Sequence, residues 1–272
     1  MISVLHNVSS LVAENALSST QASLQATLTE LSTGLKLNNG SQDPAAISIA
    51  DGLGANISAL TQSSQNASDG VGLLQTADGA LSQVTNLLNQ AVTVATEAAN
   101  GGLTAAQSTA ADTEFQSILS EINQIGSTTN FNGVAVFSAT AQTTFTSDGT
   151  STGATTTSTT TGALSSTTLS LNTNSLTSTT SAATALTAIT AAIASVAATR
   201  GSIGASVQQL TADSAVADTE VSNLTSAQNN VQNADISATV ANMTQYNVLQ
   251  QTGMAALSQS NQMEQSVLKL LQ

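Results

Sequence analysis

Few side chains in this 272-residue chain could perform chemistry. His6 is the single histidine, so neither a Ser/His/Asp triad nor a histidine-rich metal site can be assembled. Asp43 and Asp51 could suggest an acid/base pair, but helix capping and a solvated helix face explain them better. We therefore predict that the chain is not an enzyme and that it uses no cofactor and no metal.

Two short patterns imitate ligand sites. Residues 69–72 (DGVG) resemble a phosphate loop, but they lie inside a helical pattern, with no strand before them and no lysine after them. Met243, Met254 and Met263 have helical spacing, which indicates packing residues rather than metal ligands. Neither pattern predicts a binding site.

The charge balance excludes several classes of partner. Lys36, Arg200 and Lys269 are the only cations beside 16 acidic residues, so the net charge is −13. Nucleic acids and anionic membrane surfaces both require a basic patch, and we predict neither nucleic acid nor membrane as a partner. The N-terminal residues have no secretory signal pattern, and no stretch approaches the roughly 18 apolar residues of a membrane span. We expect a cytoplasmic protein, or one that is exported without a cleaved signal.

The composition predicts long helices rather than a broad core. Aromatic residues, which normally supply the largest buried areas, are 2% of the chain, and charged residues are 7%. Such a core must be thin and built from Leu, Val, Ile and Ala, as in an apolar seam between two helices. The first seam, with spacings of three, four and seven, comprises Leu17, Leu24, Leu28, Leu31 and Leu35.

Turn residues divide the rest of the first half into helices. A break at residues 38–44 places Pro44 in the first turn of a second helix, with Ser or Asp as its cap. Its apolar frame runs from Ile57 to Ala95 and stops at residues 100–102 (NGG). A shorter helix follows, with Phe115, Ile118, Leu119, Ile122 and Ile125 on one side.

The middle of the chain is rich in Ser, Thr and Gly. Residues 130–137 are typical of a turn entering a short strand, and residues 143–146 and 168–171 predict further strands. Two interpretations of the hydroxyl-rich segment remain open: a solvated hairpin region, or one that carries O-linked glycans. A rival function of a different class is a hydrolase or an adhesin with its activity in residues 138–180. The absence of His, Lys and Arg from this segment argues against catalysis, whereas weak surface adhesion stays open.

Helical spacing returns at residues 182–198 and, after a predicted break at Arg200-Gly201, at 203–234. A final helix begins at Asp235, and its apolar positions are Ile236, Val240, Met243, Leu249, Met254, Leu257, Met263, Val267 and Leu271. We predict a mainly α fold: an elongated antiparallel helical rod or coiled coil of N- and C-terminal segments, with a small β-hairpin insert. Because uncharged polar side chains are buried at lower cost than charges, its charge-poor outer faces favour self-assembly.

Several segments, taken together and in order, resemble bacterial flagellin. In the first half they are residues 31–38 (LSTGLKLN), 66–71 (NASDGV), 75–81 (QTADGAL) and 131–133 (FNG). In the second half they are residues 200–205 (RGSIGA), 249–253 (LQQTG), 256–262 (ALSQSNQ) and 267–271 (VLKLL). Gln90 stands where many flagellins present an arginine to the vertebrate innate receptor, which argues against recognition by that receptor.

The resemblance implies an architecture and a function. Residues 1–33 and 236–272 would form a terminal-arm coiled-coil domain inside the filament, 34–137 and 182–235 a helical rod domain, and 138–181 a surface segment. The function would be the structural subunit of the extracellular flagellar filament, a helical polymer for motility. A hook–filament junction protein is the alternative.

The resemblance also implies partners: many copies of the chain itself, the flagellar type III export apparatus, an export chaperone, the filament cap and hook-associated proteins. The predicted self-assembly residues are Leu17, Leu24, Leu28, Leu31, Leu35, Ile236, Val240, Met243, Leu249, Leu257, Val267 and Leu271. Packing many chains of charge −13 brings carboxylates together, so we expect mild acid or added salt to favour filaments.

Overall fold

The computed structural model describes residues 8–40, 42–140, 142–147, 154–159 and 161–270. In this part of the chain there are five helices, α1 (Val8–Thr33), α2 (Pro44–Ala98), α3 (Ala105–Thr128), α4 (Thr179–Gln232) and α5 (Ile236–Leu270). Two antiparallel hairpins pair β1 (Asn130–Phe131) with β2 (Val134–Ala135), and β3 (Gln142–Ser147) with β4 (Ala154–Thr159). The predicted mainly α class with a small β insert is confirmed.

Aspartates begin two of the long helices. Oδ1 of Asp43 accepts hydrogen bonds from the backbone N–H groups of Ala45 and Ala46, at 3.1 and 3.0 Å. Asp235 caps α5 in the same way, through two N–H groups of its first turn. A side-chain cap contributes about 1 kcal/mol by satisfying donors that have no partner within the helix. The predicted aspartate cap, and Pro44 as the first helical residue, are confirmed.

The first helix ends earlier than its leucine spacing predicts. The pattern includes Leu35, but α1 stops at Thr33 and Gly34 follows with a φ of +72°. The Gly34 N–H donates to the carbonyl of Glu30 at 2.8 Å, which closes the last turn in the left-handed conformation that glycine adopts without strain.

The predicted break in α4 at Arg200-Gly201 is wrong, because the helix continues through both residues. A glycine inside a helix costs only about 1 kcal/mol relative to alanine, and packing overrides that cost. Ile189 and Val196 before the glycine, and Ile203 and Leu210 after it, are all buried in one apolar cluster. Tertiary packing on both sides therefore holds the helix together.

The chain divides into two compact units: Met1–Ala55 with Leu224–Gln272, and Asn56–Asn223. In the second unit, residues of α2, α3 and α4 share one apolar core. Its largest fully buried side chains include Leu74, Leu81, Leu88, Phe115, Ile122, Ile189, Ile203 and Leu210. The predicted apolar faces of α2 and α3 are thereby confirmed. The glycine-rich part of α2 packs closely, since a Cβ on Gly70 would lie 2.7 Å from Oγ1 of Thr144.

The middle segment contains more turns than its sequence predicts. Residues 130–135 form a hairpin rather than a turn before one strand, because Asn132 and Gly133 adopt φ values of 50° and 79°. The strand predicted at 143–146 is confirmed within β3.

The strand predicted at residues 168–171 is wrong, and a series of turns occupies that position. The hydroxyl of Thr168 accepts the backbone N–H of Ser165, the hydroxyl of Ser165 accepts that of Thr168, and this local bonding competes with strand pairing. Ser170 has a φ of 57°, and Leu171 is buried.

One helix in the described part of the chain, α4, is long and apolar enough to cross a membrane by length and composition. Its most apolar window has a mean hydropathy of 1.6, whereas we expected no such stretch. Ala185, Ile189 and Ala192 of this helix are buried in the core of the second unit. Those contacts place one side of α4 in an apolar core, and a core helix can have the length and composition of a membrane span.

Candidate self-assembly surface

The two terminal helices, α1 and α5, pack antiparallel in the first unit. Near the start of α1, Oγ of Ser10 donates to Oγ of Ser260 at 3.0 Å. At the other end, the N–H of Lys36 donates to the carbonyl of Gln232 at 2.7 Å, and the N–H of Ala234 donates to the carbonyl of Gly34 at 2.9 Å. The predicted pairing of N- and C-terminal segments is confirmed.

Small and partly buried side chains line the contact between these two helices. A Cβ on Gly253 of α5 would lie 3.4 Å from Cδ1 of Leu17, so the helix backbone lies close to the leucine. The partly buried positions of α5 recur every three or four residues, which places them on one face. They include Met243, Tyr246, Gln250, Gly253, Leu257 and Ser260.

The remaining faces of both helices are exposed, and large apolar side chains lie there among uncharged polar residues. Single exposed apolar side chains are normal, but this many on one pair of helices favours an interaction surface. We call this set the outer face. It comprises Val8, Leu11, Val12 and Leu28 of α1, and Ile236, Val240, Val248, Leu249, Met254 and Met263 of α5.

Charged residues are almost absent from the outer face. The sequence of α5 contains no Asp, Glu, Lys or Arg from Ile236 to Met263, and α1 contains only Glu14 and Glu30. The surface of a soluble helix usually carries many charged side chains. A second copy of this acidic chain can therefore approach the outer face without bringing carboxylates together there.

The predicted self-assembly residues fall into two sets. Leu28, Ile236, Val240 and Leu249 are exposed on the outer face. The partly buried set is Leu17, Leu24, Leu31, Leu35, Met243 and Leu257. The Val267 side chain and all of Leu271 lie outside what the structure describes. Which of these residues contact another copy remains a prediction.

Six exposed side chains of the outer face are not in the predicted set: Val8, Leu11, Val12, Val248, Met254 and Met263. Val8, Leu11 and Val12 have the three- and four-residue spacing of one helix face, but this face is opposite the one that carries Leu17 and Leu24. Val248 follows Met243 and Tyr246 but faces outward, and only the packing of α5 on α1 reveals this.

The residues weighed for other chemistry have structural roles or lie elsewhere. Asp43 caps α2, and residues 69–72 lie within α2 as predicted. His6 is outside the described residues. Within the ranges that the structure describes, no group of three or more His, Cys, Asp and Glu side chains could hold a metal ion.

Both ends of the chain are similar to known proteins. The family model of the bacterial flagellin N-terminal helical region matches residues 4–142, and the family model of the C-terminal helical region matches residues 186–271. Flagellin of Halalkalibacterium halodurans is 30% identical over 248 residues, 91% of this chain and 91% of that protein. The chain belongs to the bacterial flagellin family. Flagellin is the structural, non-catalytic subunit of the extracellular flagellar filament.

Other flagellins match over a smaller part of their length. Flagellin 1 of Proteus mirabilis is 38% identical over 132 residues, 48% of this chain and 36% of that protein. Flagellin of Serratia marcescens is 40% identical over 133 residues, 49% of this chain and 38% of that protein. The chain thus matches little more than a third of the length of either relative.

A crystal structure of Bacillus cereus flagellin is 27% identical, with a TM-score of 0.48, and the match covers 59% of this chain and 88% of that one. The present flagellin is a short form with little or no outer domain. The relatives named here are flagellins rather than hook–filament junction proteins.

Proposed function

We propose that this flagellin polymerises through the outer face of α1 and α5, and that the polymer is its functional form. The observation that supports the proposal most directly is the set of exposed apolar side chains on two helices that carry almost no charge. Family membership supports self-assembly into a filament. Each copy uses different faces toward different neighbours, because a contact that does not close on itself builds an open helical polymer.

The free energy of assembly comes mainly from apolar area. Removal of apolar surface from water contributes about 25 cal/mol per Å², so several half-exposed side chains together provide a useful affinity. The Gln, Asn, Ser and Thr residues between them are buried at lower cost than Lys or Glu would be. Because the surface of each subunit carries few charges, it can be buried against other copies of the chain at low desolvation cost.

We further propose the domain division 1–33 with 236–272, 34–137 with 182–235, and 138–181. All twelve predicted self-assembly residues belong to the first domain or lie next to it. The type III export apparatus, an export chaperone, the filament cap and hook-associated proteins are the remaining proposed partners. Membership of the flagellin family supports them.

Two matched valine substitutions test the outer face. Val248 in α5 and Val216 in α4 are 54% and 58% exposed, so neither substitution removes a buried side chain. We expect Val248→Asp to abolish filament growth, seen by electron microscopy and by sedimentation, and Val216→Asp to permit it. Circular dichroism of both monomers controls for folding.

Deletion of either terminal arm gives a second test. The truncated chains should remain monomers under conditions that polymerise the full chain. Normal filaments from an arm deletion, or from Val248→Asp, would show that the outer face is not the assembly surface.

A further inference from the structure

The threonines of the two terminal helices all bond to their own helix. In α1, the hydroxyls of Thr20, Thr27, Thr29 and Thr33 donate to the carbonyl four residues earlier, at 2.8–2.9 Å. In α5, Thr239 and Thr244 do the same at 2.8 and 2.9 Å, and Thr252 donates to the carbonyl three residues earlier, at 3.1 Å. Every threonine of these helices therefore has its hydroxyl donor satisfied within its own subunit.

This bonding changes what an exposed threonine offers to a neighbour. When Oγ1 is turned to the helix backbone, the other substituent on Cβ is the Cγ2 methyl group. Burial of a hydroxyl that has no partner is costly, but a hydroxyl that already donates to a carbonyl carries its hydrogen bond into the interface. Such a threonine behaves toward another molecule much as valine does.

Two of these threonines extend a row of exposed valines. Val240, Thr244, Val248 and Thr252 recur at four-residue intervals along α5, and all four are exposed. Residues four apart lie on one ridge of a helix, and such ridges pack into the grooves of a neighbouring helix. We call these four residues the β-branched ridge. The Thr244 hydroxyl donates to the carbonyl of Val240, so its hydrogen-bond partner is another residue of the same ridge.

We propose that the β-branched ridge packs as a continuous row of methyl groups against a second copy of the chain, with its hydroxyls retained by their own helix. The inference rests on the proposed function and names the chemistry of that contact. The second copy is the occupant because the ridge continues the outer face and lies in the charge-free part of α5. Carboxylates of this acidic chain are therefore absent from the contacting helix segment itself.

Paired substitutions separate a methyl contact from a hydroxyl contact. Thr244→Val with Thr252→Val keeps both methyl groups and removes both hydroxyls. Thr244→Ser with Thr252→Ser keeps both hydroxyls and removes both methyl groups. Thr, Ser and Val have similar helix propensities, so the monomers should unfold alike by circular dichroism. The critical concentration for polymerisation is the measurement.

We expect the valine pair to polymerise at the wild-type critical concentration or below it. The serine pair should raise the critical concentration about fourfold for each methyl group lost, or roughly fifteenfold in total. Thr109→Ser is the matched control, since Thr109 is exposed on α3 and donates to the carbonyl of Ala105 at 2.9 Å. It should leave the critical concentration unchanged.

Three results would overturn the inference: an unaffected serine pair, a valine pair that polymerises less well than the serine pair, or an equal effect of Thr109→Ser. The second result would mean that the hydroxyls bond to the neighbour. The Val248→Asp variant distinguishes this failure from failure of the proposed function. If Val248→Asp abolishes growth while the serine pair is unaffected, the outer face assembles but the two threonines of the β-branched ridge do not contribute their methyl groups.

Discussion

Arg200 of α4 and Asp78 of α2 form a bidentate ion pair. Nε of Arg200 lies 2.7 Å from Oδ1 of Asp78, and its Nη2 lies 3.1 Å from Oδ2. The hydrogen bond from the guanidinium holds the pKa of the Asp78 carboxyl below its usual value, and it raises the pKa of Arg200 in return. The side chains of Arg200 and Asp78 are 37% and 41% exposed, so solvent screens the pair and its contribution is at most about 1 kcal/mol.

Replacement of Asp78 by Asn should lower the free energy of unfolding by up to about 1 kcal/mol at neutral pH. A carboxyl whose pKa is depressed on folding stabilises the protein above its unfolded pKa of about 3.8, and the effect is lost as pH falls through the folded pKa. The difference from wild type should therefore vanish in strong acid, as measured by urea denaturation at several pH values. Asp51→Asn, at another exposed position of α2, is the control. A difference between wild type and Asp78→Asn that stays constant down to pH 2 would contradict this account.

Two glycines should respond to alanine with opposite signs. A Cβ on Gly126 of α3 would overlap the carbonyl oxygen of Leu164 and lie 2.9 Å from its carbonyl carbon, so the backbone itself must move. Gly126→Ala should destabilise the protein by about 1–3 kcal/mol. Gly79→Ala in α2 meets nothing within 4 Å and should stabilise by up to about 1 kcal/mol through helix propensity. Thermal unfolding of both variants is the measurement, and equal signs would contradict the packing described here.

Truncation of Phe115 should cost more than truncation of any single leucine in the same core. Phe115 of α3 is fully buried in a core that has few aromatic side chains to replace it. Phe115→Ala should lower the free energy of unfolding by about 3–5 kcal/mol, whereas Phe115→Leu should recover most of the loss. Denaturant titration checks this. A loss below about 1 kcal/mol for the alanine variant would show that the cluster is not a cooperative core.

Polymerisation should respond to salt and pH through the net charge of −13. Chains of the same sign repel, and added salt screens the repulsion while mild acid removes part of the negative charge. The critical concentration should fall as salt rises from about 50 to about 200 mM, which roughly halves the Debye length. It should fall again as the pH is lowered from about 8 to about 5. Light scattering at fixed protein concentration measures both. A critical concentration that is constant under both changes would argue that charge does not oppose assembly.

The helices follow from local rules in the sequence. The three- and four-residue spacing of apolar side chains predicts α2 and α3, and Asp43-Pro44 predicts where α2 begins. Asp235 marks the start of α5 in the same way, and α5 continues unbroken to Leu270. Periodicity and capping depend on neighbours within one turn, so they can be deduced without knowledge of the fold.

Packing between distant segments accounts for one error, and local side-chain bonding accounts for another. The Arg200-Gly201 pair is typical of a helix end, but Ile203 and Leu210 beyond it are buried and hold α4 in one piece. Residues 168–171 have strand composition, yet the hydroxyls of Ser165 and Thr168 bond locally and form a turn. In α4 a local preference of about 1 kcal/mol competes with packing that the local sequence does not reveal, whereas at residues 168–171 two local preferences compete.

The sequence by itself determined the fold class, the absence of charge from Ile236 to Met263 and the family resemblance, because composition and spacing are properties of the chain. Only the tertiary structure decided which side of each terminal helix remains uncovered. Leu17 and Leu28 belong to the same leucine seam, but Leu17 lies against the α5 backbone at Gly253 while Leu28 is exposed. The physical reason is that burial depends on the position of the second helix, which the period of the first helix does not specify.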